Sequence, residues 1–259
     1  SQFMSTVSRV VLVTAGGSGI GLAIAKYFVK QGDEVHICDV DQLAIDKALT
    51  ELPTMTATCA ELTQVDQVDT VFDDLQKTHG KLDILVNNVG VAGPTAAVED
   101  ILPQEWNDTI SVDLNSIFYV TRKAVPLLKK SKGVMINMSS NAGLFGCPLR
   151  SPYAAAKWAI VGLTKTWAME LGPFGVRVNA LCPGSVNGPR IDKVIELDAE
   201  ARDIPAATVR ELYLQQNSLG VFVEADHIAQ TVHFLCSSAA QHISGQAIPI
   251  DGHTETLSS

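Results

Sequence analysis

Basic residues and long apolar segments are both scarce in this chain. Its 259 residues include 19 Lys and Arg against 28 Asp and Glu, which gives a formal net charge of −9. Binding to nucleic acid needs a basic face that neutralises phosphates, so this balance argues against a nucleic-acid partner. No apolar run approaches the roughly 20 residues that a bilayer crossing requires, and we expect no association with a membrane.

Cysteine is sparse as well, and it follows no metal-ligand spacing. The five cysteines are Cys38, Cys59, Cys147, Cys182 and Cys236. Because most of them lie in apolar runs, we expect reduced thiols in the core of a cytoplasmic protein, and no metal site.

Apolar residues, in contrast, make up 46% of the sequence. A chain of this length and composition suits one large α/β domain with a substantial core. No secretory signal is visible. Residues 1–3, which precede Met4, are interpreted as a cloning scar, and residues 4–259 as a single dinucleotide-binding and catalytic domain.

Short apolar runs alternate with longer amphipathic segments along the chain. The runs predict seven strands, at residues 9–14, 34–38, 55–59, 82–86, 133–138, 176–181 and 247–250. The segments between them predict helices at 22–31, 41–49, 64–79, 103–130 and 152–171. Such alternation predicts a doubly wound parallel sheet with helices on both faces. Ligands bind beyond the carboxyl ends of the strands in these sheets, and the motifs below fall at those ends.

The first strand enters a glycine-rich turn that opens a helix. Residues 14–21 read Thr-Ala-Gly-Gly-Ser-Gly-Ile-Gly, which fits Thr-Gly-x-x-x-Gly-x-Gly with Ala15 in place of the first glycine. A helix N-terminus offers free N–H groups, and glycines let a pyrophosphate approach the backbone, so we expect a nucleotide here rather than a mere tight turn. If position 15 needs positive φ, alanine there costs about 1 kcal/mol, unless Gly16 takes up the turn.

The second strand ends on Asp39, about 20 residues after the glycine turn. A carboxylate there accepts hydrogen bonds from both adenosine ribose hydroxyls and repels a 2′-phosphate. No arginine or lysine stands beside it, so NAD is favoured over NADP as the cofactor. The alternative is that Asp39 caps the following helix, a role that Asp41 can fill instead.

A tyrosine, a lysine and a serine carry the predicted chemistry. Tyr153 and Lys157 are four residues apart in a predicted helix and therefore share one face. A nearby ammonium lowers the pKa of a phenol from about 10, which suits acid or base catalysis on an alcohol or ketone. Ser140 ends a strand-like run and would hold the reacting oxygen. The alternative is an ordinary amphipathic helix with a solvated lysine.

Taken in order, these motifs resemble one family, the short-chain dehydrogenases/reductases, from Val10 to Gly252. The matching pieces are residues 14–21, Asp39, the Asn-Asn-Val-Gly stretch at 87–90, Ser140, Tyr153, Lys157, Asn179, the Pro-Gly at 183–184 and the Asp-Gly at 251–252. The resemblance implies a Rossmann fold and assembly as a homotetramer or homodimer.

The resemblance also implies a role for each matched residue. Tyr153 would be the general acid or base, Lys157 would lower its pKa, and Ser140 would orient the substrate. The implied cofactor contacts are Gly16, Ser18, Gly19, Ile20, Asp39, Glu61, Leu62, Asn88, Gly90, Tyr153, Lys157, Pro183, Gly184 and Val186.

Three positions depart from the family pattern. Val89 replaces the usual alanine, and Gly188 replaces a threonine that commonly holds the carboxamide, a task left to Asn187 or the backbone. Asp113 replaces the asparagine that is usually the fourth catalytic residue. Because its backbone carbonyl is kept, we carry Asp113 over as catalytic, and we expect its charge to strengthen the hold of Lys157 on its proton.

These residues predict an NAD-dependent oxidoreductase that interconverts a secondary alcohol and a ketone. Arg150 and Arg190 are candidate contacts for an anionic group, and the alternative is that both are surface arginines. The substrate is expected to be a small hydroxy acid or a sugar or polyol. Residues 189–218 read as two helices around Ile204 and Pro205, and as a substrate lid. The alternatives are a carrier-linked 3-oxoacyl reductase, a non-catalytic dinucleotide sensor and, less well supported, a methyltransferase.

Overall fold

Seven parallel strands form one sheet in the order β3-β2-β1-β4-β5-β6-β7. The strands are β1 Val10–Thr14, β2 Glu34–Asp39, β3 Thr56–Cys59, β4 Ile84–Asn87, β5 Val134–Met138, β6 Arg177–Pro183 and β7 Ala247–Ile250. The computed structural model describes residues 8–257, so the predicted scar and Met4 lie outside the described residues. The doubly wound parallel sheet predicted from the sequence is confirmed.

The helices that flank this sheet alternate with its strands. They are α1 Gly19–Lys30, α2 Gln42–Glu51, α3 Val65–Thr78, α4 Pro103–Ile110, α5 Ser116–Ser131, α6 Ser151–Leu171, α7 Pro189–Arg202, α8 Ala206–Gln215 and α9 Ala225–Leu235. The helix predicted over 103–130 is continuous in the structure, but a π-helical turn, Ser111–Asn115, which was not predicted, separates α4 from α5. Helix α9, which packs against α1, was not predicted from the sequence.

Alternate residues of β1 face two different cores. Val11 and Val13 belong to a buried cluster with α1 and α9, whereas Val10 and Leu12 belong to a second cluster with α3 and α5. All five β1 residues are buried, as expected for a central strand that is covered on both faces. The chain order reverses between β1 and β4, which lie side by side, and this places a crevice at their carboxyl ends.

The segment between β6 and α9 forms its own small apolar cluster. Helices α7 and α8 bury Ile191, Val194, Ile195, Ala199 and Val209 between them. As predicted, the break between the two helices falls at Ile204 and Pro205, where Asp203 takes a left-handed φ of 55°.

The cysteines are all free, but the prediction of core thiols is wrong for two of them. Cys38, Cys182 and Cys236 are buried, whereas Cys59 is exposed and Cys147 is partly exposed. Separately, none of the helices within residues 8–257 combines the length and apolar character needed to cross a membrane.

Candidate active site

The carboxyl ends of the central strands open into a cleft of about 760 Å³. Its walls include nearly every residue that the sequence analysis selected: Ser18, Gly19, Ile20, Asp39, Glu61, Leu62, Asn88, Gly90, Ser140, Arg150, Tyr153, Lys157, Pro183, Gly184, Val186 and Arg190. Two selected residues, Gly16 and Asp113, are not on the walls and lie behind them.

The glycine turn has its strained position at Ala15. Ala15 takes a φ of 51°, whereas Gly16 is not left-handed, so the alternative in which Gly16 takes up the turn is wrong. Gly16 serves packing instead, because a Cβ there would lie 2.6 Å from Cγ2 of Ile37. The turn therefore carries about 1 kcal/mol of backbone strain at a position where glycine would carry none.

Helix α1 presents an open N-terminus to the cleft. Ser18 is its N-cap, yet no side chain caps the helix there, and its first turn contains no acidic residue. Gly21 lies against the turn so closely that a Cβ would come within 2.1 Å of the Ala15 carbonyl oxygen. The amide of Asn88 supports the turn from below, donating to the carbonyl oxygens of Thr14 at 3.3 Å and Ala15 at 3.4 Å. This cradle of free N–H groups fits a pyrophosphate.

Asp39 is held at the end of β2 by two backbone donors. Its Oδ2 accepts from the N–H of Gly17 at 3.0 Å, and its Oδ1 accepts from the N–H of Asp41 at 3.0 Å. The alternative role as a helix cap falls to Asp41, whose side chain accepts from the N–H groups of Leu43 and Ala44. Each oxygen of Asp39 keeps a further lone pair, so the carboxylate can still accept ribose hydroxyls.

Thr14 is a residue of this region that the motif search did not single out. Its Oγ1 accepts from the N–H of Asn88 at 2.8 Å and from the N–H of Val89 at 3.2 Å. It therefore ties the end of β1 to the end of β4. The threonine at the start of the glycine motif was the available signal.

Tyr153 and Lys157 lie on the first two turns of α6. Lys157 is only 5% exposed, its Nζ donates to the Met138 carbonyl oxygen at 3.2 Å, and it lies 5.5 Å from the centroid of the Tyr153 ring. Ser139 pins this helix to the end of β5, because its hydroxyl donates to the Lys157 carbonyl oxygen at 2.8 Å. The spacing that predicted a shared helical face therefore brings phenol and ammonium together beside the strand.

Ser140 begins a short 3₁₀ turn, Asn141–Gly143, at the end of β5. Its Oγ accepts from the N–H of Ala142 at 3.1 Å, which fixes the rotamer of the hydroxyl group. The hydroxyl also hydrogen-bonds to Tyr153 and so lowers the pKa of the phenol. Serine and tyrosine thus face the same part of the cleft.

The pKa of Tyr153 is lowered although the phenol is buried. Burial alone would raise this pKa, and it is the largest single influence. The positive charges of Lys157, Arg190 and Arg150, in that order, act in the opposite direction and outweigh it together with the Ser140 hydrogen bond. Because cations favour the phenolate, the site is prepared for proton exchange at this oxygen.

The two selected arginines reach the site in different ways. The Arg150 guanidinium stacks 4.1 Å from the centroid of the Tyr153 ring and donates through Nη2 to the Ala92 carbonyl oxygen at 2.9 Å. Its Nε is buried without a hydrogen-bond partner among the described residues. Arg190 is exposed in the first turn of α7 and borders the cleft.

Asp113 lies within the π-helical turn and is fully buried. Its Oδ1 accepts from the N–H of Val91 at 2.6 Å, whereas its Oδ2 has no partner among residues 8–257. Burial raises the pKa of this carboxyl, and Lys157 is the strongest influence that lowers it. The side chain therefore supports the loop at the cleft wall from behind.

A polar network on the inner side of α7 and α8 was missed by the sequence analysis. Buried Asp198 accepts from Nε of Arg202 at 2.5 Å and from the Tyr213 hydroxyl at 2.7 Å. All three residues line the cleft, and burial with this bond raises the pKa of Tyr213. Arg202 follows Asp198 by one helical turn, and this spacing is visible in the sequence. The bond between Asp198 and Tyr213 is not visible there, because it joins two different helices.

The Pro-Gly loop after β6 has its own departure from expectation. Gly188 has a φ of 142°, which glycine alone adopts readily. The amide of Asn187, one candidate for holding a carboxamide, donates to Oε1 of Glu224 at 3.3 Å. The glycine at residue 188 therefore allows the backbone conformation from which α7 begins.

Comparison with known proteins extends these observations. A family model described as enoyl-(acyl carrier protein) reductase matches residues 14–253. The D-beta-hydroxybutyrate dehydrogenase of Cupriavidus necator is 36% identical over 252 residues, which cover 94% of this chain and 96% of that protein.

Solved structures give the same picture with different ligands. NAD+-bound xylitol dehydrogenase superposes with a TM-score of 0.90 at 26% identity, covering 93% of this chain and 97% of that one. A variant of actinorhodin polyketide ketoreductase with NADPH has a TM-score of 0.90 at 28% identity, covering 95% and 96% of the two chains. Nicotinamide dinucleotides of both kinds therefore occur among the structural neighbours.

Proposed function

Because the chain belongs to the short-chain dehydrogenase/reductase family, we propose that it is an NAD-dependent enzyme that interconverts a secondary alcohol and a ketone. The observation that carries the proposal is the lowered pKa of Tyr153, at the cleft onto which the N-terminus of α1 opens. A phenol tuned in this way beside a cradle for a pyrophosphate suits proton and hydride exchange on one substrate.

The chain's own residues handle the proton of the alcohol. Tyr153 accepts that proton as a phenolate, which Lys157 and Arg150 stabilise by their charge. Ser140 holds the same substrate oxygen by a hydrogen bond and keeps the reacting carbon in one position. The chemistry that a bound NAD would supply at this site is a hydride acceptor for this carbon. In the ketone-reducing direction, Tyr153 returns the proton to the oxygen.

Replacing Tyr153 by phenylalanine tests this mechanism directly. We expect Tyr153→Phe to lower kcat by about 10²–10⁴-fold, because the proton acceptor is lost while the apolar ring is kept. The absorbance of the reduced nicotinamide reports turnover, and a fluorescence titration reports NAD binding, which should be nearly unchanged. Tyr27→Phe, on α1 and outside the cleft, is the control. Normal turnover of Tyr153→Phe would sink the proposal.

The preference for NAD is proposed from Asp39, whose carboxylate borders the cleft at the end of β2. A 2′-phosphate beside it would meet a like charge, which costs several kcal/mol. We expect Asp39→Asn to lower the ratio of the dissociation constant for NADP to that for NAD by about tenfold, which corresponds to 1.4 kcal/mol. Asp41→Asn is the matched control, because Asp41 caps α2 and does not line the cleft. Equal binding of both dinucleotides by the unchanged protein would contradict the preference.

The substrate is proposed to be small and anionic, a hydroxy acid in preference to a sugar or polyol. The support is the buried, unpartnered Nε of Arg150 beside Tyr153, and Arg190 at the cleft. We expect Arg150→Ala to raise KM for hydroxy acids and to leave KM for neutral substrates unchanged. Kinetics with a panel of hydroxy acids, polyols and cyclic alcohols measures this difference. Arg122→Ala, on the exposed side of α5, is the control. An equal rise in KM for charged and neutral substrates would contradict a role in anion binding and would favour the alternative that both are surface arginines.

A carrier-linked 3-oxoacyl reductase is the second candidate, favoured by the acyl-carrier substrate that the description of the matching family model names, although that description is of an enoyl reductase. It would reduce the 3-oxo group of an acyl thioester and would be expected to prefer NADPH, which Asp39 disfavours. Reduction of an acetoacetyl thioester with NADPH, at a higher kcat/KM than any alcohol in the panel with NAD, would favour it. A dinucleotide sensor would bind NAD without turnover of any panel member.

Assembly into a homotetramer or homodimer is also proposed. Large apolar side chains are exposed on α5 and α6, including Phe118 on α5 and Trp158 and Met169 on α6. Light scattering of the purified protein gives its mass in solution. A monomer at micromolar concentration would contradict the proposal, and cell fractionation would test the predicted cytoplasmic location.

A further inference from the structure

Asp113 is a buried carboxyl that the proposed mechanism leaves without a task. It does not reach the cleft, because the loop that carries Gly90 and Val91 lies between. One oxygen accepts from the N–H of Val91 at 2.6 Å, and the other finds no donor within the described residues. A carboxylate in such a place is strongly destabilised unless a cation compensates its charge.

The compensating cation faces Asp113 across Gly90. A Cβ on Gly90 would lie 3.4 Å from Oδ1 of Asp113 and 3.7 Å from Nζ of Lys157, so both groups approach the same bare Cα. The π-helical turn packs on α6, the helix that carries both Tyr153 and Lys157.

The charged groups around Asp113 are otherwise few. Lys157 on α6 acts on its carboxyl most strongly, followed by the more distant Arg190 on α7 and Arg150 before α6. All three are cations, and the same three act on Tyr153. A negative charge at residue 113 therefore opposes the cations that stabilise the phenolate.

We propose that Asp113 is ionised opposite the Lys157 ammonium, and that this buried pair raises the pH at which Tyr153 loses its proton. Asp113 is a positioning residue, since it acts through Lys157 and touches neither substrate nor cofactor. Its charge cancels part of the field that Lys157 exerts on the phenol. A neutral amide of the same shape would leave the whole field in place. This inference rests on the proposed function of Tyr153.

Asp113→Asn tests the charge without changing the shape. We expect the acidic limb of kcat/KM for alcohol oxidation to move to lower pH by about one unit. In the protein without dinucleotide, the phenolate absorbance of Tyr153 should titrate at correspondingly lower pH. It is isolated by subtracting the spectrum of the matching Tyr153→Phe variant. Asp108→Asn, an exposed carboxylate on α4, controls for net charge.

Superimposable pH profiles of Asp113→Asn and the wild-type protein would overturn the inference. If Tyr153→Phe is inactive at the same time, the proposed function still stands, so the two failures can be told apart. Should Asp113→Asn fail to fold, Lys157→Met can be compared with the unchanged protein by ¹³C NMR of labelled Asp side chains. A buried carboxyl whose titration moves to higher pH without Lys157 supports the pair. A carboxyl spectrum that Lys157→Met leaves unchanged counts against it.

Discussion

The two sides of the cleft are held by different kinds of contact. On the dinucleotide side, Ala15, Asp39 and Asn88 are fixed by hydrogen bonds to backbone groups at the ends of β1 and β2. On the other side, which we propose receives the substrate, α7 and α8 rest on a separate apolar cluster and on the bonds of Asp198 with Arg202 and Tyr213. Disturbing the first side should therefore disturb the fold, whereas disturbing the second should change substrate binding first.

The largest expected effect lies under the dinucleotide side. Ile24 of α1 is fully buried in the cluster with Val11 and Phe28. We expect Ile24→Ala to lower the free energy of unfolding by about 2–5 kcal/mol, because it leaves a cavity in the main core. Urea denaturation followed by circular dichroism measures this change, and a loss below about 1 kcal/mol would break the comparison.

Acid should weaken the same side. His36 on β2 is buried between Thr56 and Thr58 of β3, at 2.7 and 2.9 Å, and burial lowers its pKa from 6.5 to about 4. Neutral His36 therefore stabilises the fold fully above pH 6.5, and this contribution of about 3 kcal/mol is lost as the pH falls toward 4.

The control for the acid effect is a variant that cannot titrate at residue 36. Between pH 7 and pH 4.5, the free energy of unfolding of His36→Asn should fall less than that of the wild-type protein. Urea midpoints measured at each pH give this comparison. Parallel losses in the two proteins would assign the acid sensitivity to other groups.

The matched change on the substrate side should be milder for the fold. Ile195 of α7 is 1% exposed, so Ile195→Ala removes the same atoms as Ile24→Ala from a comparably buried place. We expect the urea midpoint to move less than in Ile24→Ala, and KM for the alcohol to rise several-fold with NAD affinity kept. Equal losses of stability in the two variants would mean that both sides fold as one unit.

The smallest effect is a gain at the glycine turn. Ala15 has a φ of 51°, so Ala15→Gly should relieve up to about 1 kcal/mol of strain, less the entropy that glycine adds to the unfolded chain. Differential scanning calorimetry should show an unchanged or slightly higher Tm. A clear fall in Tm would show that the methyl group of Ala15 packs favourably enough to outweigh the strain.

The sequence was sufficient where function depends on local spacing. The glycine turn, Asp39 at a strand end and the four-residue step from Tyr153 to Lys157 all follow from short-range pattern, and the fold brings them to one cleft. It was insufficient where contacts join distant residues. The bond between Asp198 and Tyr213 links two helices, and nothing within either helix announces it.

Two further misses have physical reasons. A π-helical turn inserts one residue into a helix, and the apolar pattern of residues 103–130 continues across it without a proline or glycine inside 111–115. Cys59 looked like a core residue because it ends the apolar run predicted as a strand over 55–59. That strand, β3, is at the edge of the sheet and has a neighbouring strand on one side only.

The π-helical turn at 111–115 also sets the rotational phase of the helix before it. An α-helix advances about 100° per residue, so removing one residue from the turn would let α4 and α5 merge and would rotate α4 by that angle. Thr109, which is now buried, would then turn away from its present inward direction. The extra residue thus acts as a spacer, because it lets α4 and α5 bury faces that a single regular α-helix could not both bury.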